Sequence, residues 1–91
     1  MDYGVYAMRD ARIGFLSPTI EINDDVAIRN FYHAVTHSDG VLDSFANDFS
    51  LYRIGSYESD HAQLIPMSPI QHLAEASAAL RSMVKSSGGD V

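Results

Sequence analysis

Apolar and polar positions alternate with a period of two in two well-separated stretches of the chain. Along Tyr3 to Arg9, one side carries Tyr3, Val5, Ala7 and Arg9 and the other Tyr6 and Met8. Apolar groups on both sides predict a strand inside a sheet rather than one half wetted by solvent. Phe49 to Tyr57 reads as a second strong strand, with Gly55 marking a bulge. These two segments, Val5–Asp10 and Asp48–Gly55, are the expected partners at the centre of a small sheet. Between them, Asp10 to Gly14 reads as a turn. Thr19 to Ile22 then forms a short strand with Ile20 and Ile22 on one face, held to an edge or a strand start by Pro18.

The period then changes. Asn23 followed by Asp24 and Asp25 is a helix start: the asparagine side chain can accept from free backbone N–H groups, and the acids suit the positive end of the helix dipole. The helix is predicted to reach about His37, with Ala27, Ile28, Phe31, Ala34 and Val35 on one stripe and Arg29, Asn30, His33 and His37 largely opposite. Asp25 precedes Arg29 by four residues, a favourable helix pair. Ser38-Asp39-Gly40 ends the helix. Val41 to Asn47 fits either a short helical turn or a tacked-down loop. Glu58-Ser59-Asp60 is a turn, and Gln63-Leu64-Ile65 a short return strand. Ser68-Pro69-Ile70-Gln71 carries a cap, a first-turn proline and a capping-box glutamine, so a second helix is predicted from there. Its face holds Ile70, Leu73, Ala74, Ser77, Leu80 and Val84, and it ends near Lys85 and Gly88. The order β, β, α, a possible short helix, β, β, α defines the expected class. It is an α+β fold with a small, mostly antiparallel sheet of three to four strands and two amphipathic helices. Residues 1–86 form one domain, and 87–91 a flexible tail.

Composition narrows the functions available. With 91 residues, 46% of them apolar, the chain supports one modest core. Absence of cysteine excludes disulfides and thiolate metal sites. The start Met1-Asp2-Tyr3-Gly4 has no basic leader or apolar signal segment, and no apolar run reaches the length of a membrane span. A soluble protein with no membrane partner is expected. The net charge of −6 opposes non-specific attraction to nucleic-acid phosphates. Of the six basic residues, the first four are all arginines: Arg9, Arg12, Arg29 and Arg53. Arginine forks match phosphate oxygens better than lysine does.

No nucleotide-binding glycine loop and no nucleophile elbow is present, and twelve carboxylates select no acid–base pair by spacing. The chain is therefore expected not to be an enzyme and to need no cofactor. His33 and His37 have the four-residue spacing of two helical metal ligands. Ala34, however, occupies the position where a metalloprotease needs glutamate, and a third ligand would have to come from elsewhere, such as Asp39. Two histidines on a wet helix face, with no metal, is the expected arrangement. The remaining chemistry lies in the arginines interleaved with tyrosines. Exposed aromatics stack on unpaired bases while arginines hold phosphates, which suits single strands better than duplex grooves. Arg9, Arg12, Arg29 and Arg53 with Tyr6 and Tyr52 are the candidate nucleic-acid-binding residues. Against this, strand tyrosines commonly pack in cores, and Asp10, Asp25 and Asp48 stand close enough to neutralise arginines. Self-association through an edge strand or the alanine-rich last helix is compatible with either reading.

The segment Val5-Tyr6-Ala7-Met8-Arg9-Asp10 resembles the small nonstructural protein of gokushovirus-type microviruses, phages with circular single-stranded DNA genomes. The likeness continues through Gly14-Phe15, Pro18, Asn23-Asp24 with Ala27, Arg29 and Phe31, and Asp48-Phe49 with Leu51 and Ile54-Gly55, covering roughly residues 3–57. It implies a non-catalytic accessory protein of the host cytoplasm that binds single-stranded DNA and assists the switch from duplex replication to single-strand synthesis and packaging. The net charge of −6 leaves an alternative, a protein-interaction or homo-oligomeric assembly factor that contacts phage replication or capsid proteins without binding DNA, and a homo-oligomer is expected. After Gly55 the likeness fades: it implies an aspartate-containing turn closed by glycine, where this chain has Glu58-Ser59-Asp60-His61-Ala62. The resemblance and the charge together lead to one geometric expectation. Arg9 and Arg53 lie on neighbouring strands and form a confined patch with Arg12 or Arg29.

Overall fold

The two alternating segments pair with each other over most of their length. In the computed structural model, which describes residues 1–37 and 45–81, β1 (Asp2–Asp10) runs antiparallel to β4 (Phe49–Glu58). β1 is also flanked on its other side. β2 (Gly14–Phe15) pairs with Arg9 and Asp10, and β3 (Thr19–Glu21) pairs with Gly4 to Tyr6. β5 (Gln63–Glu75) lies outside β4, so the sheet order is β2-β1-β4-β5 with β3 beside β1, all antiparallel. The α+β class and the antiparallel sheet agree with the sequence reading, with a fifth strand added.

α1 (Asp24–Thr36) begins as its sequence predicts. The Asn23 side chain accepts from the Val26 backbone N–H at 2.9 Å, and Asp24 and Asp25 occupy the first turn. Its stripe delivers Ala27, Phe31 and Val35 to the core, while Ile28 is half-buried and Ala34 exposed. Asp25 and Arg29 form no ion pair in the structure. The helix covers one face of the sheet, packing on Tyr6, Phe49 and Leu51 with Ala74, Ala76 and Ala79. Burial of Phe31, 4% exposed, contributes on the order of 1.5–3 kcal/mol. A single 3₁₀ turn at Ala46–Asp48 leads into β4, placing Ala46 and Phe49 in the core. The predicted ends of both helices (Ser38-Asp39-Gly40; Lys85 to Gly88), residues 41–44, Val84 and the tail 87–91 lie outside the described residues.

The second helix starts later than predicted. Residues 63–75 form one long strand that passes through Pro66 and a cis Ser68-Pro69 bond, and the helix α2 begins at residue 76. The local signal at Ser68–Gln71 is a capping box, which contributes about 1 kcal/mol. It competes with a ladder to β4 in which Gln71, His72, Ala74 and Glu75 pair with Arg53, Tyr52, Leu51 and Ser50. The ladder wins because it satisfies many backbone groups at once, while bulges between Leu51 and Tyr52 and between Arg53 and Gly55 absorb the residues that do not fit.

Two glycines permit close approaches that a side chain would block. A Cβ on Gly4 would overlap the ring and hydroxyl of Tyr6, and a Cβ on Gly55 would lie 2.5 Å from the Ile65 carbonyl oxygen. At the β4–β5 turn, Glu58 accepts from the backbone N–H groups of Asp60 at 2.8 Å and His61 at 3.1 Å, and contacts His61 Nδ1 at 2.6 Å. These contacts, the His61 side chain first, hold the Glu58 carboxyl below its ordinary pKa. Ala62 closes the turn with φ 54°, the left-handed conformation that suits the glycine implied by the family likeness. Ala62→Gly is expected to stabilise the protein by about 0.5–1 kcal/mol. The check is a higher urea midpoint at unchanged slope.

Candidate nucleic-acid interface

Strand alternation and register decide where each arginine points. Along β1 and β4, Tyr6 pairs with Arg53, Ala7 with Tyr52, Met8 with Leu51 and Arg9 with Ser50, without interruption. Tyr6, Met8, Leu51 and Arg53 therefore face α1, and Ala7, Arg9, Ser50 and Tyr52 face away from it. Arg9 and Arg53 lie on neighbouring strands but on opposite faces, so the expected joint patch does not form.

On the helix side, Arg53 is held in a closed network. Its Nη1 donates to Asp24 Oδ1 at 2.9 Å, its Nη2 to Ser56 Oγ at 3.0 Å and its Nε to the Gly55 carbonyl at 3.2 Å. The Tyr6 hydroxyl donates to the same Asp24 oxygen at 2.6 Å, and the Arg53 guanidinium carbon sits 5.9 Å from the centre of the Tyr6 ring. Tyr6 is 0% exposed. Burial, then the hydrogen bond and charge of Asp24, push its hydroxyl well above the ordinary tyrosine pKa, against a smaller opposing pull from Arg53. Tyr6 and Arg53 thus brace β1 and β4 against the start of α1.

The sign of that shift gives a pH dependence. The folded state resists losing the Tyr6 proton, whereas an unfolded tyrosine loses it near pH 10. The contribution is therefore complete below about pH 10 and is lost as pH rises beyond it, by up to about 1.4 kcal/mol per pH unit. Tyr6→Phe is expected to lower stability at pH 7 by about 1 kcal/mol and to lose less than the parent between pH 9 and 11. Urea midpoints across that range test both.

The face away from α1 carries a different group. Phe15, paired with Arg9 through β2, lies edge-on to Tyr52 with ring centres 5.4 Å apart at 77°. Tyr52 is edge-on to His72 at 5.3 Å and 75°. The three rings form a row across β2, β4 and β5, passing over β1 at Ala7 and Arg9. Phe15 is 48% exposed, and Tyr52 and Arg9 are half-buried. Arg9 makes no hydrogen bond or ion pair with any described residue. His72 Nε2 lies 2.7 Å from Glu75 Oε1, which orients the imidazole at the end of the row.

The remaining predicted residues are dispersed. Arg12 stands on the β1–β2 turn, its Nε 3.2 Å from Asp48 Oδ2. Arg29 is exposed on α1, on the other side of the sheet. Of the six, the structure brings only Arg9 and Tyr52 together on the open face. Phe15 and His72 were missed, the first because only register sets it opposite Arg9, the second because its segment read as a helix. His33 and His37 stack on α1 with ring centres 4.0 Å apart. Asp39 lies outside the described residues, among which no group of three His, Asp or Glu is placed to hold a metal. Among the same residues, no helix is long and apolar enough to cross a membrane.

Residues 3–79 fit the model of a family described as Phage ORF5 protein. No curated protein and no solved structure matches the chain.

Proposed function

We propose that this chain, which belongs to the Phage ORF5 protein family, is a non-catalytic accessory protein that binds single-stranded DNA on the open face of its sheet. The observation that carries this reading is the Phe15–Tyr52–His72 row with Arg9 beside it. Aromatic rings on a solvent-facing sheet offer stacking surfaces to bases, and only unpaired bases present their faces. A free guanidinium next to the row supplies a phosphate contact at the place where bases would stack. The resemblance to the microvirus nonstructural protein supplies the setting: the host cytoplasm, and the switch from duplex replication to single-strand synthesis and packaging.

The net charge of −6 shapes how such binding works. With one or two phosphates neutralised, the affinity for a single strand falls with a log–log salt slope of only about −0.7 to −1.4. Stacking therefore supplies most of the affinity. Fluorescence anisotropy with a labelled oligothymidine and a duplex of equal length, at several salt concentrations, tests the proposal. Preferential binding of the single strand with a shallow slope supports it. Equal affinity for duplex, or no binding at low salt, overturns it. The second reading, a factor that contacts phage replication or capsid proteins without binding DNA, draws on the apolar groove at the other end of the same face. It is what remains if no DNA binds.

A further inference from the structure

We infer that Tyr3 and Tyr57 form a second base-stacking subsite on the open face, so that a bound single strand runs along β1 and β4 from the aromatic row to this pair. The inference rests on the DNA-binding reading and extends it to the path and length of the strand. Tyr3 and Tyr57 are partners across β1 and β4, with ring centres 6.5 Å apart and planes tilted by 34°. The bulge between Val5 and Tyr6 falls on β4, which carries Ile54 as the extra residue, so the alternation of β1 is unbroken. Gly4 lies on the side of Tyr6, whose ring a Cβ there would meet. Tyr3 therefore shares the open face with Val5, Ala7 and Arg9, and Tyr57 joins it through the pairing.

Three observations point to unpaired bases as the occupant. First, both tyrosines are half-buried, and neither belongs to the core cluster. Neither hydroxyl bonds to a described residue, and no buried side-chain N or O among these residues lacks a partner, so both hydroxyls reach solvent. Second, the surface between the pair and the row is uncharged. The apolar groove over Val5 lies there, and none of its lining residues is ionisable. Third, the strand carboxylates are sorted onto the opposite face. Asp2 pairs with Glu58, Glu21 with Gly4 and Asp10 with the core residue Phe49, so all four carboxylates alternate away from the open face. Among the described strand residues only Glu75 joins the open face, where it contacts His72. On a chain of net charge −6, a polyanion can thus pass from Arg9 to Tyr3 over a surface nearly free of negative charge. Tyr3 precedes Ala7, the partner of Tyr52, by four residues of β1. That is about 13 Å, or about four steps of a stacked single strand.

Fluorescence anisotropy with a short oligothymidine of about three nucleotides and a long one of about twelve tests it. Tyr3→Ala/Tyr57→Ala is expected to weaken binding of the long oligonucleotide at least about tenfold. The short one, held at the row beside Arg9, should bind almost as before. Tyr3→Ile/Tyr57→Ile keeps strand propensity and apolar packing, and serves if circular dichroism shows the alanine variant unfolded. The chain has no tryptophan, so Tyr57→Trp places a single fluorophore at the pair. The long oligonucleotide is expected to quench its emission, and a duplex of equal length is not. Suppose the parent binds the long oligonucleotide and needs Phe15 and Tyr52 to do so. If the tyrosine variants then bind it equally well, or the tryptophan emission does not change, the pair only braces β1 against β4. That result overturns the inference and leaves the DNA reading standing. A parent that binds neither oligonucleotide at low salt overturns the DNA reading itself, and the inference with it.

Discussion

Replacing Phe15 and Tyr52 together by alanine is expected to weaken binding of a single-stranded oligonucleotide at least about 30-fold while leaving the protein folded. Each stacking position contributes roughly 1–3 kcal/mol when truncated, and about 1.4 kcal/mol is a factor of ten. Both side chains face away from α1, and Phe15 is 48% exposed, so the core cluster keeps all its members. Arg9→Ala should cause a smaller loss and flatten the salt slope by about 0.7, the signature of one lost phosphate contact. Anisotropy titrations of the three proteins separate the two contributions. If the double variant binds as tightly as its parent, the open face is not the DNA site.

The largest expected effect on stability comes from Asp24→Ala. Asp24 accepts from both the Tyr6 hydroxyl and Arg53, and it sits in the first turn of α1. Its removal leaves a wholly buried hydroxyl without its acceptor and a guanidinium, 23% exposed, without its counter-charge. Partial exposure moderates the cost, which is about 2–3 kcal/mol. For a domain of this size that lowers the melting temperature by on the order of 10–20 °C. Asp24→Asn should recover part of the loss, because an amide oxygen still accepts from Tyr6. A melting curve unchanged by Asp24→Ala would mean that the network does not brace the sheet against the helix. Arg53→Ala should likewise act through stability, and any loss of DNA binding it causes should track the unfolded fraction.

The chain's own pattern was enough to place β1, β4 and α1. Each of these combines a clear period with matching end signals, such as Asn23 at the start of α1 and Gly55 at the bulge. Local information was enough there because the long-range contacts agree with it. At Ser68–Gln71 they conflict. A capping box and a first-turn proline point to a helix, yet the same residues complete a strand against β4, since pairing to a formed neighbour outweighs one local cap. That single displacement hid His72 from the site.

The arginines show the same boundary more sharply. The sequence by itself determined that Arg9 and Arg53 lie in two paired central strands, because hydrophobic alternation and strand-forming side chains set both segments. It also determined that β1 is an inner strand of the sheet, as its flanking by β4 on one edge and β2 and β3 on the other bears out. Only the tertiary structure decided which side of the sheet each guanidinium occupies. Side chains alternate at every residue, so a register that pairs Arg9 with Ser50 and Tyr6 with Arg53 sends the two arginines in opposite directions. It also decided that Asp24, eighteen residues from Tyr6 and twenty-nine from Arg53, closes the inner network. The aromatic row on the outer face has the same origin. Phe15, Tyr52 and His72 come from three strands far apart in the chain, and only their register brings the rings within contact.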